Sequence, residues 1–280
     1  ILGGYDTERD RVRSFAARWG AQPFASAAEL LNGRLRPHVL VIATHPDSHE
    51  LYLKMAATHE VPVVVCEKPI APTRREAHRM VRLERRGTTR VVVNHERRFS
   101  RDYVIARRLI DDQTMGHLIA VRGQLFFGRT ARHDRVFLHD GTHFLTADTL
   151  RLRQKIGAYR SERSSVSLHG TLRRRGIPVS IEVGAERDYL HFELDLSFSG
   201  GRIRIGNGIF DWSRSEYSPF YSGYRSLLPL HRSPPEPTGY FAGMAAEAVR
   251  LVQDPTARSR SSVADGWEVM RVISAAGRLW

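Results

Sequence analysis

The chain has 280 residues, 41% of them hydrophobic, and this length predicts a globular protein with two domains. No run approaches the roughly 18–20 apolar residues of a membrane helix, and the first residues do not resemble a secretory signal, so we expect a soluble, cytoplasmic protein that binds no membrane. The net charge of +13 comes almost wholly from arginines spread along the chain, with three lysines among 43 basic residues, and this dispersion argues against nucleic-acid binding.

The first part of the chain, to about residue 115, alternates short apolar runs with helical patterns. Its predicted strands are 1–5, 38–44, 61–66 and 90–94, and its predicted helices are 7–19, 26–31, 46–58 and 73–86. This order predicts a doubly wound parallel sheet in which the strands at 38–44 and 61–66 are covered on both faces. Cys66, the single cysteine, ends the run 61–66 and is expected to be a buried, inert thiol in a reducing compartment.

The second part, 116–280, has the pattern of an α+β domain with a mainly antiparallel sheet. Its predicted strands are 118–127, 165–172, 179–183, 189–198 and 202–205, and its predicted helices are 142–152, 240–252 and 263–279. The turn Ser199-Gly200-Gly201 predicts a hairpin, and the Pro-rich stretch 229–237 predicts a surface loop.

Two predicted strands end in polar residues. Glu67-Lys68-Pro69 follows the buried strand 61–66 and places a carboxylate and an ammonium at the end of a parallel strand, where ligands bind in open α/β sheets. Such a lysine can polarise or protonate a substrate oxygen, although a surface ion pair would give the same sequence. The segment Thr44-His45-Pro46-Asp47-Ser48-His49 follows another strand and brings backbone amides and a hydroxyl to the same edge, while His49 could equally be a capping or packing residue.

A third cluster, His139-Asp140-Gly141-Thr142-His143, lies at the start of a helical pattern in the second part. Three ionisable groups in five residues suit general acid–base catalysis, and helix capping by Asp140 is the structural alternative. A metal site would need further ligands that the sequence does not supply, so we predict no metal.

Several of these segments together resemble one known family. In order and spacing, the chain resembles the glucose–fructose oxidoreductase and inositol dehydrogenase (Gfo/Idh/MocA) family from residue 1 to near its end, and the element Glu67-Lys68-Pro69 is the most specific part. The segments that carry the resemblance are 39–44, Asp47-Ser48-His49, 64–71, Asn94-His95-Glu96-Arg97-Arg98-Phe99, Gly116-His117-Leu118, 139–143 and Ala264-Asp265-Gly266-Trp267-Glu268.

The resemblance implies a Rossmann domain at 1–115 and a substrate and oligomerisation domain at 116–280. It implies hydride transfer between NAD or NADP and a secondary alcohol of a sugar, cyclitol or related polyol. A non-catalytic ligand-binding or regulatory protein on the same fold, and an NAD-assisted glycoside hydrolase, are the alternatives. It also implies a homo-oligomer formed through the sheet of the second domain.

The resemblance also implies roles for individual residues. Lys68 and His143 would flank the reacting carbon as the pair that handles the hydroxyl proton. Asp6 would take the adenine ribose hydroxyls, which favours NAD, although nearby Arg9 and Arg11 leave NADP open. The other expected cofactor contacts are Thr44, His45, Pro46, His49, Glu67, Lys68 and Asn94.

The chain departs from the family pattern at two places. Many family members have an aspartate four residues before the catalytic histidine, whereas this chain has His139 there and Asp140 next, so either residue could support His143. The family also opens with a strand and a G-x-G-x-x-G turn against the pyrophosphate, and Gly3-Gly4 does not meet that pattern. We therefore expect that a strand-plus-helix unit of roughly 30 residues is absent, and that the 280-residue chain alone binds NAD poorly.

Overall fold

The computed structural model describes residues 1–33, 36–128, 152–160, 165–172, 176–185, 187–232 and 239–276. The chain divides into two compact units, one made of 1–94 and 245–267, the other of 95–244 and 268–280. The division predicted at residue 115 falls inside the second unit, because the helix Arg101–Asp111 buries Ala106 and Leu109 in the core of that unit.

The first unit has the predicted alternation of strands and helices. Its elements in chain order are β1 (Gly3–Gly4), α1 (Arg9–Trp19), β2 (Gln22–Pro23), α2 (Ala27–Asn32), β3 (Val39–Ile42), a 3₁₀ turn (Pro46–Ser48), α3 (His49–Thr58), β4 (Val63–Cys66), α4 (Arg74–Arg86) and β5 (Arg90–Val93). Two of the helices have side-chain caps: Ser26 Oγ accepts from the amide of Glu29 at 3.0 Å, and Thr73 Oγ1 accepts from the amide of Glu76 at 3.3 Å. The N-cap of α1 is Glu8, whose side chain makes no capping hydrogen bond. The predicted sequence of parallel-sheet elements is confirmed.

The strands of this unit form two separate parallel sheets. β1 pairs with β2, and β3, β4 and β5 form a three-stranded sheet in that order. β4 is buried throughout, and so is the Cys66 thiol, whose pKa burial raises above its ordinary value. β3 is not covered on both faces as predicted, since Val41 is 63% exposed, and among the described strands β3 pairs only with β4.

The second unit is built on one eight-stranded sheet. Its elements are a 3₁₀ turn (Glu96–Phe99), α5 (Arg101–Asp111), β6 (Leu118–Gly128), β7 (Leu152–Arg160), β8 (Ser165–Leu172), β9 (Pro178–Gly184), β10 (Arg187–Phe198), β11 (Gly201–Gly206), β12 (Ile209–Tyr217) and β13 (Arg225–Arg232). The strand order is β13-β12-β11-β10-β6-β9-β8-β7, and every neighbouring pair is antiparallel except β6 and β9. The predicted mainly antiparallel sheet and the hairpin at Ser199–Gly201 are confirmed.

Alternate side chains of this sheet face an apolar core. Phe192, Leu194, Leu196 and Phe198 of β10 are buried, while the residues between them are partly exposed on the opposite face. Two later helices, α6 (Tyr240–Gln253) and α7 (Val263–Ala276), agree with the predictions, and Val269 and Val272 of α7 join this core.

Some elements differ from the sequence prediction. β2, α5, β7, β12 and β13 were not predicted. Pro229, placed in a loop by its Pro-rich surroundings, lies in β13, where an edge strand tolerates a residue without an amide hydrogen. Residues 142–151 of the predicted helix 142–152 lie outside the described residues, and Leu152 begins β7. Within the described ranges, no helix has the length and apolar character needed to span a bilayer.

Candidate cofactor site

The predicted polar residues of the first unit gather at one edge of its three-stranded sheet. Because β3, β4 and β5 are parallel, the residues that follow them lie at the same edge. Thr44 follows β3, Glu67 and Lys68 follow β4, and Asn94 follows β5. The structure therefore brings together the strand-end residues that the sequence singled out.

Glu67 and Asn94 are joined across neighbouring strand ends. The Asn94 Nδ2 donates to Glu67 Oε1, and the amide of Lys68 donates to Glu67 Oε2 at 3.3 Å. Backbone bonds continue the ladder past the strands, from Glu67 N to Ile42 O at 2.9 Å and from Asn94 N to Cys66 O at 2.7 Å. The Glu67 carboxylate thus has a fixed position beside Lys68, and both side chains remain partly accessible.

Asn94 has a polar atom that this arrangement leaves unpaired. The residue is 6% exposed, and its Oδ1 is buried and has no hydrogen-bond partner within the described part of the chain. A buried acceptor in a native protein is normally paired, so this oxygen is an exception at the edge of the sheet.

His49, the first residue of α3, lies behind the strand ends. It is fully buried, with Nε2 2.9 Å from the carbonyl oxygen of Thr44 and Nδ1 3.1 Å from that of Ile70. Both ring nitrogens therefore face backbone oxygens, and the ring links the loop after β3 to the loop after β4. This geometry suits positioning of the two loops, which is the packing alternative considered for this histidine.

The loop after β3 keeps its other polar groups near the surface. Ser48 Oγ donates to Thr44 Oγ1 at 2.7 Å, and His45 Nδ1 lies 2.8 Å from a carboxylate oxygen of Asp47 in an exposed pair. Pro46 is the first residue of the 3₁₀ turn, a position whose amide hydrogen would have no partner within the turn, so proline costs no hydrogen bond there.

Asp6 follows β1 at the edge of a large cavity. The Asp6 carboxylate accepts from the amide of Glu8 at 2.8 Å, and the nearby Arg11 forms a 3.0 Å ion pair with Glu8. The cavity has a volume of about 850 Å³, is mainly apolar, and lies between β1 and β3; Asp6 and Thr44 are among its lining residues. The cavity thus separates a strand of the two-stranded sheet from a strand of the three-stranded sheet.

Two tyrosines at this cavity were not predicted as site residues. Tyr5 and Tyr52 both line it, and the pKa of the Tyr52 phenol is raised by burial and then by the neighbouring Tyr5, with which it shares a hydrogen bond. The sequence offered no signal for the pair, since Tyr5 reads as a strand residue and Tyr52 as part of a helix.

The third predicted cluster, with His139, Asp140 and His143, lies outside the described residues. Within the described ranges, no group of three or more histidine, cysteine, aspartate or glutamate side chains is placed to hold a metal ion.

Comparison with known proteins agrees with this arrangement. Residues 1–95 match the Gfo/Idh/MocA oxidoreductase family, described by its NAD-binding Rossmann fold. This part of the chain is similar to that family. An inositol 2-dehydrogenase of Leifsonia xyli subsp. xyli is 34% identical over 119 residues, which are 42% of this chain and 34% of that relative. The matched region therefore spans about a third of the relative's length.

Solved structures share the fold over the whole chain. A dehydrogenase from Chromobacterium violaceum has a TM-score of 0.81 at 18% identity, covering 99% of this chain and 86% of its own. The WlbA dehydrogenase of Bordetella pertussis, solved with NADH and UDP-GlcNAcA, has a TM-score of 0.79 at 19% identity, covering 100% of this chain and 87% of its own. At these identities the likeness concerns the fold alone.

Proposed function

We propose that this chain is an NAD(P)-dependent dehydrogenase of the Gfo/Idh/MocA family that acts on a secondary alcohol of a sugar, cyclitol or related polyol. The observation that carries the proposal is the hydrogen-bonded pair of Glu67 and Asn94 beside Lys68. These residues follow parallel strands, at the edge where ligands bind in open α/β sheets, and they lie in the segment that matches an NAD-binding family. An inositol 2-dehydrogenase among the relatives supports a polyol as substrate.

The residues present fit a nicotinamide dinucleotide. The carboxylates of Glu67 and Asp6 are acceptors for amide or ribose hydrogens. The cofactor would supply the hydride acceptor or donor. The residues that would hold it are Asp6, Thr44, His45, Pro46, Glu67, Lys68 and Asn94, with His49 positioning the loops around it.

NAD is the favoured cofactor. A carboxylate at the end of β1 accepts hydrogen bonds from ribose hydroxyls and repels a 2′-phosphate. Arg11, the neighbouring cation that could attract that phosphate, is paired with Glu8, which lowers its electrostatic attraction for a second anion.

Lys68 and His143 would handle the proton of the substrate hydroxyl. An ammonium beside the reacting oxygen stabilises the alkoxide character that develops as the hydride leaves, and a histidine can accept or return the proton near neutral pH. Asp140 or His139 would orient His143 in this scheme.

The test is substitution of Lys68 in the natural full-length protein, with inositol and related polyols as substrates. Lys68→Ala is expected to lower kcat by about 10²- to 10⁴-fold with little change in NAD affinity, because the ammonium acts mainly in the transition state. Lys54→Ala is the matched control, since Lys54 lies in the same unit but pairs with Glu50 on α3. Turnover that survives in Lys68→Ala contradicts the assignment.

The nicotinamide absorbance during turnover separates this function from the alternatives. A dehydrogenase reduces one equivalent of NAD for each alcohol oxidised. Glycoside cleavage without net NAD reduction would instead identify transient oxidation by an NAD-assisted hydrolase, and NAD binding without any turnover would identify a regulatory protein.

The outer face of the second unit's sheet is the proposed surface for homo-oligomer formation. On this face Arg202 pairs with Asp195, and Arg204 pairs with Asp211 at 2.9 Å, so its charges are largely balanced although the whole chain carries +13. Two copies can therefore approach through this face with less repulsion than elsewhere. We expect light scattering of the full-length protein to give a dimer or larger assembly, and Arg204→Glu to weaken it; a monomer at all concentrations contradicts the proposal.

A further inference from the structure

The start of α7 packs against the loop that carries Lys68. We infer that Gly266, in the first turn of α7, is a positioning residue: the absence of a side chain there lets Ile70 lie against the helix and so fixes where Lys68 stands. The inference rests on the proposed function, because it concerns the lysine that is assigned to the substrate hydroxyl.

A side chain at residue 266 would collide with this loop. A Cβ atom added to Gly266 would lie 3.0 Å from Ile70 Cγ2, 3.1 Å from Ile70 Cβ and 3.5 Å from Val93 Cγ2. The optimal separation of two carbon atoms is about 3.5–4.0 Å, so either the helix or Ile70 would have to move by a few tenths of an ångström.

The start of α7 is anchored to β5, which limits its movement. Ser261 O accepts from Val93 N at 2.6 Å, and Ser261 Oγ donates to Val93 O at 2.8 Å. Both residues are buried, and Gly266 N donates to Ser262 O at 3.2 Å, so the first turn of the helix follows closely on the anchor. A Cβ atom at residue 266 would therefore displace Ile70 rather than the helix.

Ile70 connects this contact to the site. It is 1% exposed, its carbonyl oxygen lies 3.1 Å from His49 Nδ1, and it follows Lys68 by two residues. Glu67 is fixed by the bond from its amide to Ile42 O, which continues the strand ladder. A displacement of Ile70 would therefore be taken up between Glu67 and Ile70, where Lys68 lies, and it would move the ammonium.

The experiment substitutes Gly266 in the natural full-length protein, with inositol and related polyols as substrates. Gly266→Ala is expected to lower kcat about tenfold, because a misplaced catalytic group costs transition-state stabilisation. The KM of the polyol and the Kd of NAD should each change by less than about twofold, since uniform binding is kept. The variant should stay folded, because alanine favours a helix more than glycine does, and denaturant unfolding checks this.

A second substitution provides the rescue. Leucine has about the volume of isoleucine but lacks the Cγ2 methyl group, which is the atom nearest to the added Cβ. Gly266→Ala combined with Ile70→Leu should therefore have the kcat of Ile70→Leu alone to within about twofold. Gly87→Ala is the matched control, since a Cβ atom at this glycine of the same unit would be at least 3.5 Å from its neighbours, and it should keep the wild-type kcat.

A further measurement does not depend on turnover. The NMR resonance of His49 Nδ1 reports on the carbonyl oxygen of Ile70, which lies 3.1 Å away. In the protein without cofactor or substrate, this resonance should shift in Gly266→Ala and stay at its wild-type position in Gly87→Ala.

The outcomes distinguish the inference from the proposed function. An unshifted His49 resonance in Gly266→Ala overturns the role of Gly266, and so does a loss of kcat that Ile70→Leu does not rescue. A wild-type protein that oxidises none of the polyols contradicts the proposed function, whereas the His49 resonance still tests whether Gly266 positions the loop.

Discussion

At the scale of single residues, the raised pKa of Glu84 in α4 should make the stability of the protein depend on pH. Its carboxylate is partly buried and accepts from the amide of Val91 at 3.0 Å. Burial raises its pKa from 4.5 to about 7, and the backbone hydrogen bonds from Val91 and Val263 only partly oppose that rise. The proton is therefore bound more tightly in the folded than in the unfolded chain.

The sign of this shift predicts a loss of stability as the pH rises. The contribution of Glu84 is fully present below pH 4.5 and is lost as the pH passes through about 7. Relative to wild type, Glu84→Gln should have a similar free energy of unfolding at pH 4.5 and a higher one, on the order of 2 kcal/mol, at pH 8. Denaturant unfolding of both proteins at each pH measures this difference in the free energy of unfolding. A difference that does not grow with pH contradicts the prediction. Asp10→Asn, which changes an exposed carboxylate, is the control.

At the scale of elements, the segment from α6 to α7 is held in the first unit by a buried ion network. Glu247 is fully buried and accepts from Arg250 Nη2 at 2.7 Å and from both the amide and the Nε of Arg260. Burial would raise the pKa of this carboxyl, but the hydrogen bonds from the two arginines outweigh it and lower the pKa to about 2. The network places Ser261 on the free edge of β5, where its carbonyl accepts from Val93 N at 2.6 Å.

Removing Glu247 should therefore loosen an entire segment. Glu247→Ala removes several charge-assisted hydrogen bonds, while the two arginines stay partly exposed, and should lower the free energy of unfolding by about 1–3 kcal/mol, with faster hydrogen exchange at the Val93 amide. Glu268→Ala is a matched control, because its pair with Arg271 has the same helical spacing but is partly exposed and should contribute about 1 kcal/mol or less. Equal losses in the two variants would show that burial of the network is not what stabilises the segment.

At the scale of the whole molecule, the cavity between β1 and β3 limits both stability and cofactor binding. Among the strands that the structure describes, none pairs with the edges of β1 and β3 toward it, and Val41 is exposed beside it. A parallel strand followed by a glycine-rich turn and a helix would pair both edges and supply amides for a pyrophosphate.

This arrangement predicts that the 280-residue chain by itself has negligible dehydrogenase activity and binds NAD poorly. Adding a strand–turn–helix unit ahead of Ile1 should raise the free energy of unfolding and bring NAD binding into the micromolar range. A version of the added unit with its turn glycines changed to alanine should keep the gain in stability but not the binding, because the amides could no longer approach the phosphates. Low-micromolar binding of NAD by the 280-residue chain alone would contradict this account.

The sequence by itself determined the order of elements and the chemistry at the strand ends. The apolar run before Glu67, the capping residues Ser26 and Thr73, and the turn before Gly201 are local signals, and each led to the element that the structure contains. The strand-end site followed from a general property of parallel sheets, which needs only the order of strands and helices. The helix α5 was missed although its buried residues Asp102, Ala106 and Leu109 recur at helical spacing. The strand β12 has one buried residue, Phe210, and so lacks the apolar alternation that identifies a strand in a sequence.

Only the tertiary structure decided which contacts those residues make. The pairing of Asn94 with Glu67, the burial of His49 between two carbonyl oxygens, and the separation of β1 from β3 join residues that are distant in sequence. The exposure of Val41 has the same origin, since its residue type is that of a buried strand and the packing of distant segments around β3 decides whether it is covered. Local patterns specify a backbone conformation and a face, whereas hydrogen-bond partners and burial depend on which distant segments pack there.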